Sequence, residues 1–170
     1  MSFDRASVTR TDPVTGQPLR IQFEEIETLS HADAEALLAY WSHCRKSGGF
    51  VMSRDVPSKA IARLMKYLVV LEPLTDCVDF KYHLTGMVLT ERLGRDVTGM
   101  LISEVFEPGP AQSLIDAARK TIDTDGPIFA RIHIRGVLSD VRKPELVLLP
   151  IGQLHAPDTW VLVGVFYHPL

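Results

Sequence analysis

Apolar positions along this chain switch between a two-residue spacing and a helical one, and the switches mark where strands give way to helices. Leu19, Ile21 and Phe23 alternate with polar neighbours, predicting a short strand or extended strap towards Ile26, with no pairing partner deducible. Ala34, Leu37, Leu38, Trp41 and Cys44 then follow at helical spacing. Ser30 and Asp33 stand before them as a capping box with Asp in place of Glu, so an amphipathic helix is expected over 31–46, ending before Gly48 and Gly49. Pro57 opens a second short helix with Ile61, Leu64, Met65 and Leu68 on one face. The dense run 68–71 reads as the tail of that helix passing into a buried strand before Pro73. Val78, Phe80, Tyr82 and Leu84 alternate with polar residues, giving a strand with one apolar face that stops at Gly86.

Short helices are expected over 87–93 and 101–106, and a longer one over 111–122, closed by Asp125, Gly126 and Pro127. Three strands finish the chain. The first, 128–137, has an apolar face of Ile128, Ala130, Ile132 and Ile134 and a polar one, which suits a sheet edge. The runs 146–151 and 160–167 are apolar on both faces, as strands covered on both sides are, and the last is expected to be central. Two strands, several helices and three strands joined by short connections make an α+β protein: a five-stranded antiparallel sheet with a helical cover on one side and N-terminal helices flanking it.

The 170 residues fit one domain, and a 46% hydrophobic content supplies a core for it. A formal charge of -3 gives no positive field for nucleic acid or anionic membranes, and neither is expected as a partner. Two cysteines, Cys44 and Cys77, make neither a disulfide framework nor a zinc knuckle and suit a reducing cytoplasm. The polar N-terminus lacks a secretory signal, and no apolar run is long enough to span a bilayer.

The stretch from Phe80 to Phe106 passes from an alternating strand through the turn at Gly86 into short helices separated by Gly94, Arg95, Asp96, Val97, Thr98 and Gly99. In this it resembles the middle of a PAS sensory domain, a fold whose last strand lies between its first and its fourth. Trp41, the turn from Arg45 to Gly49, the Arg54-Asp55-Val56-Pro57 run and the stretch from Glu145 to Pro150 extend the likeness to a bacterial family of stand-alone PAS proteins. That family carries Arg where this chain has His83. Residues 1–17, with turn chemistry and no sustained periodicity, are expected to be a flexible lead-in and 18–66 a strand and helical flank; the resemblance implies a PAS-like domain over 67–170, with no attached output domain.

Candidate chemistry is sparse. In the PAS strand order His83 and His133 lie four strand spacings apart, about 19 Å, too far to share a metal. His31 and His43 on the first helix have no i, i+4 ligand partner, His155 is in a loop and His168 is near the C-terminus, so no metal or haem is expected. Neither cysteine has the context of a flavin photosensor, and no nucleophile elbow or phosphate loop is present. Arg95 and Asp96 read either as a polar lip of a ligand cleft or as a capped turn. Glu91, Glu104 and Glu107 read as a solvated face.

The resulting expectation is a cytoplasmic, non-catalytic regulator in signal transduction, acting through contact with another protein and modulated by a small molecule between the cover and the sheet. No cofactor is assigned. Candidate wall residues are Tyr82, Leu84, Met87, Leu101, Phe106, Ile132 and Leu148. The apolar stripe of the first helix covers either its own sheet or a second subunit, and in PAS proteins such helices often form the dimer contact, with Leu38 and Trp41 as anchors here. The alternatives are a ligand-free scaffold binding through its sheet face, or a small α+β enzyme with Tyr82 as acid.

Overall fold

The computed structural model describes residues 20–135 and 143–168. In chain order the elements are β1 (Arg20–Ile26), α1 (Ala32–Lys46), β2 (Leu68–Pro73), β3 (Phe80–Thr85), α2 (Met87–Leu93), α3 (Ile102–Val105), α4 (Pro108–Thr124), β4 (Ile128–Arg135), β5 (Glu145–Gly152) and β6 (Thr159–Phe166). The strands form one antiparallel sheet in the order β1-β4-β5-β6-β2-β3. The expected lead-in, and the last two residues of the strand expected over 128–137, lie outside the described residues.

The sheet has six strands rather than five. The strap at the N-terminus pairs along its whole length with β4, from Arg20 opposite Arg135 to Ile26 opposite Phe129. β4 is therefore not an edge, and its polar residues face those of β1 across the ladder. β6 lies between β2 and β5, as the PAS order requires.

Both faces of the sheet are covered, not one, and strict alternation sorts the central strands between them. Leu146 and Leu148 of β5, with Val161, Val163 and Val165 of β6, pack against α3 and α4 through Ile102, Val105, Ile115 and Ala118. Val147, Leu149 and Ile151, with Leu162 and Phe166, pack on the opposite side against Ala34, Leu37 and Trp41 of α1 and against Phe50, Met52 and Val56 of the loop that follows it. On the α1 side the cover lies over the central strands, while Gln22 and Glu24 of β1 stay exposed.

Gly164 lies under α1, where an added Cβ would sit 2.7 Å from Leu37 Cδ2 and 2.6 Å from a Phe166 ring carbon. Its missing side chain is what lets helix and sheet approach.

Two local expectations change. The helix expected after Pro57 is a pair of 3-10 turns, Lys59–Ile61 and Met65–Tyr67, the first capped by Ser58, whose Oγ accepts from the Ala60 N–H at 3.2 Å. The N-cap of α1 is His31, not Ser30: its Nδ1 accepts from the Asp33 N–H at 3.0 Å, while Nε2 lies 3.0 Å from the Tyr167 carbonyl oxygen. Those two bonds together need a neutral imidazole with its proton on Nε2.

Candidate functional site

A cavity of about 110 Å³ lies between the sheet and the α2–α4 cover. Its sheet side is built from Val69, Leu71, Tyr82, Leu146, Val163 and Val165, which share a face because each strand presents alternate residues to it. The cover contributes Leu89 and Leu93 from α2 and Leu114 from α4, and β1 adds Ile21 and Phe23 at one side.

Of the residues expected in this wall, Tyr82, Phe106 and Ile132 line the cavity. Leu148 is fully buried in the same core but lies away from the lining. Leu84 is on the other face of the sheet. Val70 pairs with Leu84 but Leu71 pairs with Tyr82, so His83 is an unpaired extra residue, and this bulge turns Leu84 towards the α1 side. Met87 is 69% exposed at the start of α2. Leu101 caps α3 and bridges to Lys81 through its backbone, outside the lining.

Besides the Tyr167 phenol, two polar groups stand in this apolar setting. Tyr82 is 2% exposed, and its side chain makes no hydrogen bond among the described residues. Burial, and after it the charge of Asp79, push its hydroxyl well above the ordinary tyrosine range. The group stays protonated, so it offers a donor and cannot serve as a base near neutral pH.

Arg92 is the other. It lies three residues after Leu89 on the same helical face, lines the cavity with Leu89 and Leu93, and its guanidinium carbon lies 4.4 Å from the centre of the Tyr167 ring. Among the described residues it has no acidic partner. Sequence reasoning missed it because a lone Arg on an exposed helix reads as solvated surface; its position between two leucines was the available signal.

A family model for the PAS domain matches residues 29–166. The chain belongs to the PAS domain family. Searches of curated proteins and of solved structures find no match. A PAS domain points in general to a sensory or regulatory role in signalling, and such domains are generally non-catalytic modules.

The residues that carried the likeness to stand-alone PAS proteins hold this PAS domain together. Trp41 is buried and donates from Nε1 to the Pro150 carbonyl at 3.1 Å. Arg45 lies over the Trp41 ring at 5.1 Å and pairs with Asp125 at 2.8 Å. Asp55 accepts from the Val51 N–H at 2.8 Å and pairs with Arg54, which also donates to the Gly49 carbonyl. Burial alone would raise the Asp55 carboxyl, but the bonds from Arg54 and Val51 outweigh it and hold it below its usual range.

Glu145 is fully buried at the start of β5 and accepts from the Ser30 N–H at 2.6 Å, the Ser30 hydroxyl at 2.7 Å and the His31 N–H at 3.3 Å. His168 Nε2 lies 3.4 Å away. Burial would raise this carboxyl too, and the Ser30 and His31 bonds reverse the shift and lower it.

The remaining candidates are structural or peripheral. Asp96 Oδ1 accepts from the Thr98 N–H at 3.0 Å and from its hydroxyl at 2.7 Å, and Gly94 ends α2 at φ 76°, so this segment is a capped turn. His83 packs edge-on against Trp160 at 4.6 Å and His133 pairs with Glu24, on strands at opposite sides of the sheet. No cluster of metal-binding side chains occurs among the described residues. Burial raises both cysteine thiols, which keeps them out of the reactive thiolate form. No helix among the described residues is long and apolar enough to cross a membrane.

Proposed function

We propose that this PAS domain is a non-catalytic regulator that works by protein contact and is modulated by a small molecule bound between its sheet and its helical cover. The observation that carries the reading is the cavity lined by Tyr82, a buried residue whose hydroxyl has no hydrogen-bond partner among the described residues. A hydroxyl without a protein partner beside a cavity keeps its donor available to a ligand.

Occupancy would act on α2, which is short and packs over the cavity through Leu89 and Leu93. A ligand that favours one seating of this helix shifts the population towards it by its difference in affinity for the two seatings. The protonated Tyr82 hydroxyl and the carboxylates tied into structural bonds, Glu145 and Asp55, fit a binding role better than acid–base chemistry.

A homodimer through α1 belongs to the same proposal. Of its two anchors Leu38 keeps accessible surface, while Trp41 is committed to its own sheet. The test is a thermal-shift screen of the purified protein against metabolites, repeated on Leu89→Trp, which fills the cavity. Saturable stabilisation of the wild type that the variant lacks is the expected result. A flat response to every compound in both proteins would remove the sensor reading.

A further inference from the structure

The cavity also carries information about the kind of molecule it takes. Its lining is aliphatic and aromatic apart from the Tyr167 phenol and two groups of different character, a buried neutral donor on Tyr82 and an exposed cation on Arg92. Arg92 marks the mouth. Its charge is held over the Tyr167 ring rather than neutralised by a carboxylate, and a guanidinium so placed keeps N–H donors for an incoming anion. One guanidinium matches one planar monoanion in a bidentate fork, whereas a phosphate dianion calls for more positive charge than the described lining supplies.

The size sets the body of the ligand. A cavity of about 110 Å³ is of the scale of the roughly 150 Å³ engineered cavity that accepts benzene, so the buried part is about six carbon atoms. Resting on the small-molecule reading above, we infer that this cavity binds a small apolar carboxylate, with its carboxylate on Arg92, its hydrocarbon body against Val69, Leu71 and Val163, and a hydrogen-bond acceptor at its far end for Tyr82.

Four probes of similar length separate the elements of this inference: hexanoate, 5-oxohexanoate, the neutral 2-hexanone and the cationic hexylamine. Affinities are measured by calorimetry or ligand-detected NMR on the full chain, with Arg92→Gln and Tyr82→Phe beside the wild type. Both carboxylates are expected to bind and hexylamine not to, with 5-oxohexanoate the tighter. Arg92→Gln should weaken both carboxylates about tenfold, and Tyr82→Phe should abolish only the preference for the ketone, itself about tenfold.

If 2-hexanone binds as tightly as the carboxylates and Arg92→Gln changes nothing, the carboxylate assignment is overturned while a ligand cavity stands. If none of the four binds, the carboxylate assignment is overturned; whether the cavity binds anything at all is then decided by the Leu89→Trp comparison.

Discussion

Replacing Glu145 by Ala removes the acceptor shared by three donors at the junction of α1 and β5. Bonds from Ser30 N–H at 2.6 Å and Ser30 Oγ at 2.7 Å are short and charge-assisted, and the His31 N–H bond at 3.3 Å is weak. Hydrogen bonds to a charged group are worth about 1.5–3 kcal/mol each, and Ser30 is exposed enough for water to replace part of what is lost. The lower end for two good bonds gives a cost of about 3 kcal/mol for Glu145→Ala. For a chain of this size that is a drop of about 6–12 °C in Tm.

Glu145→Gln keeps the shape and one carbonyl acceptor, so about half that cost is expected. The pH dependence separates charge from packing. A carboxyl whose folded pKa is lowered adds stability that is fully present above its unfolded value, near 4.5, and is lost as pH falls through the folded value. The stability gap between wild type and Glu145→Gln should therefore be constant from pH 7 to pH 5 and narrow below about 4.5. Urea melts followed by tryptophan fluorescence at pH 7, 5 and 3.5 measure it. A gap that stays the same at every pH, or a Glu145→Ala variant within about 0.5 kcal/mol of wild type, the scatter of surface substitutions, would refute the reasoning.

Gly86→Ala should be far more damaging than Gly94→Ala. A Cβ on Gly86 would lie 2.7 Å from the Lys66 carbonyl carbon and 2.8 Å from the Leu68 oxygen, both backbone, whereas Gly94 has open space and pays only for its φ of 76°. We expect about 3 kcal/mol or more against about 1 kcal/mol, read by thermal unfolding, and equal losses would mean the turn is looser than its packing. Leu38→Glu should convert a dimer to a monomer in light scattering with Tm little changed; a dimer mass that persists removes Leu38 as an anchor. Trp41→Ala should instead lower stability by about 3–5 kcal/mol, because the ring is buried in its own subunit.

The periodicity of the sequence located the elements well, because strands covered on both faces and amphipathic helices announce themselves through spacing. Runs such as Leu146 to Ile151 and Trp160 to Phe166 were legible as buried strands. Register was not. The bulge at His83 follows from how β2 and β3 pair across the sheet, and nothing local to Tyr82 and Leu84 shows that they part to opposite faces. His31 took the cap from Ser30 for a similar reason: Ser30 is held by Glu145, 115 positions away, a contact that no local pattern encodes. The cavity was half legible. Tyr82, Phe106 and Ile132 were read from the sequence, but Val69, Leu71, Leu146, Val163 and Val165 were not named, and Ile21, Phe23 and Arg92 needed the tertiary fold to bring them to it.

The PAS match begins at residue 29, and β1 ends at Ile26. One side of the cavity, Ile21 and Phe23, is thus supplied by a strand outside the matched region. Selection can reshape what the pocket accepts by editing seven residues of an added strand while the matched core stays intact. A protein trimmed to the matched residues would also lose the cover on β4 and present that strand's backbone as an open pairing edge. Such a trimmed form would test binding on an altered pocket.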